Sequence, residues 1–137
     1  MLNHRLRETY TRRLNVETPV TAVQSDNERL ILAVTQFIES NLDSPNLSVE
    51  ELSRHVYMSH ASLYRKIVDL TGQTPVEFIR SIKLNKAADL LVRSDMKIAE
   101  VGYAVGFTTP NYFTRAFKAK FNLSPTEYVS LKRKQAS

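Results

Sequence analysis

Apolar residues recur along this chain at three- and four-residue intervals, with short polar clusters between the runs. Leu63, Ile67 and Leu70 make one such stripe, and Phe113, Phe117 and Phe121 make another. At ~100° per residue each set lies on one side of a helix. Alternating Val, Ile and Thr runs are missing, and glycine occurs only at Gly72, Gly102 and Gly106, so a sheet has nowhere to form. The pattern predicts an all-α fold.

Capping residues place the helix starts. Ser25 to Glu28 and Ser48 to Glu51 are S-x-x-E boxes, in which hydroxyl and carboxylate satisfy each other's unpaired backbone amides. Helices are therefore expected from about residues 26 and 49. Thr74-Pro75-Val76-Glu77 and Ser124-Pro125-Thr126-Glu127 repeat the device with proline at the first helical position, where its missing N–H is harmless. Thr109-Pro110 marks another start, Ser59 caps a helix running to Leu70, and Asp95 is a weaker cap ahead of Ile98. Seven helices are expected between Asp26 and Lys134. Before Asp26, Leu2, Leu6, Tyr10 and Leu14 stand at i, i+4 spacing among arginines, and Thr18-Pro19-Val20-Thr21 reads as a breaker. This stretch is either a short amphipathic helix or a solvated arm, followed by a linker.

The chain also repeats itself. The run from Val49 to Met58 (VEELSRHVYM) matches Ile98 to Phe107 (IAEVGYAVGF) in its apolar positions, with Glu51/Glu100 and Val56/Val105 identical, at an offset of 49. After one extra residue in the second copy, Leu63-Tyr64-Arg65-Lys66-Ile67 falls on Phe113-Thr114-Arg115-Ala116-Phe117, and Thr74 to Phe78 on Ser124 to Tyr128, at an offset of 50. Each copy reads as a short helix, a tight turn, a second amphipathic helix and a capped exit, the order of a helix-turn-helix. Gly106 sits where the sharp turn wants positive φ; Tyr57 at the matching place means that glycine is not obligatory there.

The second helix of each copy presents a polar face. Opposite Leu63, Ile67 and Leu70 lie Ala61, Tyr64, Arg65 and Val68; opposite the phenylalanine stripe lie Asn111, Thr114, Arg115 and Lys118, with no carboxylate among them. Arginine binds guanine bidentately, asparagine pairs with adenine, and hydroxyls and lysines fix register on phosphates. The same composition also describes the solvated face of any basic protein, and the repeat is what favours the DNA reading. Between the copies, residues 75 to 93 are apolar over more than half the helix circumference, so this helix needs cover on two sides. At ~1.5 Å per residue it spans roughly 28 Å. That length suits two recognition helices held about one DNA turn apart, entering successive major grooves.

Composition narrows the function classes. A formal charge of +5 fits a polyanionic partner but shifts the balance only slightly. Cysteine is absent, which removes disulfides, thiolate metal sites and cysteine nucleophiles. No run of 18 apolar residues occurs, and the N-terminal residues are too polar for a signal peptide, so neither membrane contact nor export is expected. An enzyme is disfavoured: His4, His55 and His60 lack partners at ligand or triad spacing, and no H-E-x-x-H or glycine-rich phosphate loop is present. His55 reads as a helix-end residue near the C-terminal dipole. No cofactor and no metal are expected. A helical protein-binding adaptor is the alternative, with Tyr64 and Val68 as its one hint of an apolar patch. RNA binding lacks an aromatic stacking platform.

Gly106-Phe107, Tyr112-Phe113, Arg115, Phe117-Lys118 and Ser124-Pro125-Thr126-Glu127-Tyr128 resemble the second-unit signature of the AraC/XylS family of transcription activators. The run from Leu63 to Arg80 is similar to the subset at the C-terminus of hybrid two-component sensors, and the likeness covers about residues 26 to 132. This resemblance implies a domain over 26–134, with two homeodomain-like helix-turn-helix units at about 48–73 and 96–123 joined by a long helix at about 75–93. It implies double-stranded DNA as partner. His60, Ala61, Tyr64 and Arg65 would be the base readers of the first unit, Asn111, Thr114 and Arg115 those of the second, with Lys66 and Lys118 on the backbone. The family often has arginine where Lys83 precedes Leu84, and Ala61 and Val68 leave the first face poor in donors, so the first unit is expected to read fewer bases. Residues 1–25 resemble the connector after a receiver domain. A cytoplasmic activator is implied, dimerised through upstream domains on repeated half-sites and touching RNA polymerase.

Overall fold

The computed structural model describes residues 19–136, with side chains from residue 26 onward. The expected stripe of Leu2, Leu6, Tyr10 and Leu14 lies outside them. Among the described residues there are seven helices and no strand: α1 (Pro19–Ser40), α2 (Val49–His55), α3 (His60–Thr71), α4 (Pro75–Arg93), α5 (Ile98–Ala104), α6 (Pro110–Phe121) and α7 (Pro125–Ala136). The all-α expectation holds.

One start differs from expectation. The helix α1 starts at Pro19, so this proline stands at a first helical position instead of breaking the chain, and Ser25 lies inside the helix. Proline's fixed φ suits a first helical position, whereas a serine caps only where its own backbone is extended. The helix also runs through the boundary expected between residues 25 and 26.

Most other starts fall where the caps put them. The hydroxyls of Ser48, Ser59 and Thr109 each accept from the amide three residues on, at 3.1 Å. The two proline-bearing boxes are reciprocal. Thr74 donates its amide to Glu77 Oε1 at 2.9 Å and Ser124 donates to Glu127 Oε1 at 2.8 Å, while the glutamate amides donate back to the hydroxyls at 3.2 and 3.1 Å. These Ser124 bonds hold the Glu127 carboxyl below the usual carboxylate range. At Ser48 only the hydroxyl half forms, because the Glu51 carboxylate pairs with Arg54 at 3.2 Å. Asp95 is not the cap of α5: Lys97 holds that position, and its amide donates to Glu100 Oε1 at 2.8 Å.

The repeat is visible in the backbone. Positive φ occurs at Tyr57 (57°) and Gly106 (94°), offset by 49, and again at Gly72 (72°) and Asn122 (63°), offset by 50. Each tight turn closes with the same bonds: Met58 N–H to Ser53 carbonyl at 3.0 Å in one copy, Phe107 N–H to Gly102 carbonyl at 2.9 Å in the other. Glycine and asparagine tolerate this left-handed region; tyrosine does so at a cost.

The chain forms two compact units. Among the described residues, one takes in residues 19–38 together with Ser48–Phe78; the other takes in Glu39–Leu47 and residues 79–136. In the first, Val34 and Ile38 of α1, Leu52 of α2, and Leu63 and Ile67 of α3 are completely buried. In the second, Leu84, Ala87, Ala88 and Leu91 of α4 join Val101, Val105, Phe107, Phe113 and Phe117 in one cluster, with Leu42 packed against it. Each fully buried large side chain contributes about 1.5–3 kcal/mol. The buried side of α4 changes along its length, from Ile79 and Ile82 to the nearly opposite set of Leu84, Ala87, Ala88 and Leu91, which accounts for its broad apolar pattern. Val76 and Val92, counted in that pattern, are exposed.

A Cβ at Gly102 would meet Phe113 Cδ2 at 2.8 Å, and the Phe113 ring is fully buried. Gly102→Ala is therefore expected to lose about 1–3 kcal/mol by overpacking, more than the ~1 kcal/mol gained in helix propensity. Ser53 and Leu63 occupy the matching positions in the first unit. The loss should shrink in a Phe113→Leu background. Urea denaturation of the double-mutant cycle measures that coupling, and additive losses would show that glycine and ring do not share space.

Candidate nucleic-acid interface

In the second unit, α5, the turn at Gly106 and α6 form one helix-turn-helix. Phe113 and Phe117 anchor α6 from below, edge to face at 5.8 Å, and Phe117 continues to Phe121 at 4.5 Å and Tyr128 at 5.3 Å. This aromatic ladder fixes the rotation of α6 about its axis. Asn111, Arg115 and Lys118 consequently face solvent, with Thr114 half-buried at the edge of the same face. Lys118 lies close enough to Glu127 of α7 to lower its pKa, a carboxylate that inspection of α6 alone does not reveal.

The turn itself is clamped. The Leu42 carbonyl oxygen packs where a Cβ of Gly106 would stand, and Lys83 Nζ donates to the Gly106 carbonyl at 3.4 Å. Burial pushes the Lys83 ammonium below the ordinary lysine range. Lys83 thus supports the turn that leads into α6. Nothing in the periodicity of α4 points to this contact.

In the first unit α2, the turn at Tyr57 and α3 repeat the arrangement, with Leu63 and Ile67 buried beneath. His60, Ala61, Tyr64, Arg65 and Lys66 are all exposed. Four matched positions define the outer face in both copies: Ala61/Asn111, Tyr64/Thr114, Arg65/Arg115 and Val68/Lys118. The second copy fills all four with polar donors, the first only two. His60 stands at the entry of α3, opposite Pro110 in the repeat, and Lys66 projects about 100° round from Arg65, on the flank of the face. Among the described residues no carboxylate is paired with Arg65, Lys66 or Arg115, so their charges point outward uncompensated. No group of three or more His, Asp or Glu among the described residues is placed to hold a metal ion. No described helix is long and apolar enough to cross a membrane.

Residues 52–130 match a family model described as a helix-turn-helix domain. Among solved structures, the DNA-binding domain of AdpA, a global transcriptional factor crystallised with a target DNA, is 28% identical at a TM-score of 0.69, covering 77% of this chain and 94% of that one. The chain belongs to the AraC-type helix-turn-helix family. It is an AraC-type DNA-binding domain of the kind transcription regulators carry. Another AraC-type neighbour, the C-terminal domain of the response regulator AraT from Geobacillus stearothermophilus, is 27% identical at a TM-score of 0.67, covering 74% of this chain and 84% of that one. In sequence, histidine kinase P4 of Formosa agariphila is 32% identical over 124 residues, which is 90% of this chain but 9% of the kinase. The chain spans less than a tenth of that relative's length, and the kinase chemistry belongs to a different domain.

Sequence reasoning missed Lys83 in its clamping role and the positive φ of Tyr57. The second had a signal, since the repeat set Tyr57 against Gly106, a glycine at positive φ.

Proposed function

We propose that this AraC-type domain reads a bipartite DNA sequence, one helix-turn-helix per major groove in two successive grooves, as the output end of a cytoplasmic signal-transduction protein that activates transcription. The observation that carries this is the recurrence of one four-position outer face at identical places in both copies, over buried anchors that fix each helix's rotation. Asn111, Thr114 and Arg115 read bases in the second unit; His60, Ala61, Tyr64 and Arg65 contact fewer in the first; Lys66 and Lys118 hold phosphates. The DNA-bound AdpA structure supports the partner, and the AraT and kinase P4 likenesses support an output role. In this reading residues 1–25 connect to an upstream receiver-like domain within the domain arrangement expected above. Upstream domains dimerise the protein on repeated half-sites, where its surface meets RNA polymerase.

Arg115→Ala is expected to cost about 1–3 kcal/mol in binding and to relax preference at one base position. Lys118→Ala is expected to weaken all sequences alike and to lower the salt slope by about 1. Titrating both variants against a panel of single-base duplex changes separates the two roles. Equal losses on every duplex from both changes would contradict them.

A further inference from the structure

Tyr57 is held at φ 57° and is 95% exposed. The other described residues at positive φ are Gly72, Gly106 and Asn122, types that accept this conformation, and the repeat-matched position is itself glycine. A bulky side chain here strains the backbone, yet its ring is not buried, and beyond the turn's own bond from the Tyr57 amide to the Arg54 carbonyl at 3.3 Å, no side-chain hydrogen bond or ring contact to another described residue offsets that strain. Nothing within the fold favours tyrosine at this turn. A strained residue held where function is expected points to a contact outside the chain.

The surroundings identify that contact. Tyr57 stands two residues before Ser59, the cap of α3, and three before His60, the first proposed base contact. Arg54, His55 and His60 beside it are exposed, and the nearby Glu51 carboxylate is already paired with Arg54. The setting is exposed and polar, with Arg54 flanked by the Glu50 and Glu51 carboxylates, which suits a hydrogen-bonding partner and not an apolar one, and tyrosine hydroxyls are among the donors that DNA-binding proteins aim at phosphate oxygens. We propose that the Tyr57 hydroxyl donates a hydrogen bond to a DNA backbone phosphate at the mouth of the first unit, fixing the register of α3. This inference rests on the DNA reading proposed above. The second unit makes no such contact, because Gly106 has no side chain and packs under Leu42.

The test uses the whole chain, the duplex it selects from a random pool, and two variants. Y57G relieves the strain, so it should raise Tm by about 4 °C while weakening binding roughly 5-fold, the loss of one hydrogen bond. Y57F should leave Tm unchanged and weaken binding by the same factor. Both losses should be equal across single-base variants of the duplex, and the salt slope should not change, because a neutral donor releases no counterion. Binding by Y57G within twofold of the parent chain, or full affinity in Y57F, overturns the contact while leaving the selected motif intact. Failure of the parent chain to select any motif overturns the DNA reading, and the contact falls with it.

Discussion

Replacing Gly106 by alanine is expected to destabilise the chain by about 3 kcal/mol or more. Two penalties add. At φ 94° any Cβ is strained, a cost of about 1–2 kcal/mol. The new methyl also runs into the Leu42 carbonyl oxygen, with Lys83 Nζ 3.0 Å away on another side. The Leu42 obstacle is backbone, and Leu42 is itself packed against the second core, so it has little room to give. Relief requires moving the turn, and α6 begins four residues later, so affinity for DNA should fall together with stability. Chemical denaturation reads the first effect and duplex titration the second. The repeat sharpens this expectation, because glycine at the matching Tyr57 is expected to stabilise. A Gly106→Ala variant of parental stability would mean that the loop after α1 does not seat on this turn.

Phe117→Ala is expected to cost about 3–5 kcal/mol. Its ring is completely buried and touches Phe121 and Tyr128 as well as Phe113, so truncation opens a cavity inside the aromatic ladder and removes three ring contacts at once. Against a total stability of about 5–15 kcal/mol for a domain of ordinary size, this is a large share. Amide exchange should quicken through α5, α6 and α7. Asn111, Thr114 and Arg115 lie on the other side of the same helix, so DNA binding should weaken without any of them being altered. A loss below about 1 kcal/mol would show that the ladder does not anchor α6.

Much of the fold was legible because its signals are local. A hydroxyl followed three residues later by glutamate, with proline between them, needs nothing beyond its own turn of helix to form, and both proline-bearing boxes close in both directions. The outer faces were legible for a related reason: once Phe113, Phe117 and Phe121 are taken as buried, helical periodicity puts Asn111, Arg115 and Lys118 outside. The misreadings have physical causes. Thr18-Pro19 and Thr74-Pro75 look alike, and proline opens a helix as readily as it ends one. The S-x-x-E at Ser25 falls within a helix, where serine's backbone is not free to cap. Lys97 caps α5 through its amide alone, which no side-chain pattern announces. The clamp of Leu42 and Lys83 on Gly106 joins segments far apart in sequence, and periodicity carries no information about such contacts.

The central claim is that two similar faces read two blocks of DNA, and selection of bound duplexes from a random pool at ~0.15 M salt tests it most directly, because non-specific attraction to phosphate is weakened there. The account predicts an enriched motif of two blocks about one helical turn apart, with the block read by α6 more sharply defined than the block read by α3. Salt-sensitive binding that enriches no motif would contradict it.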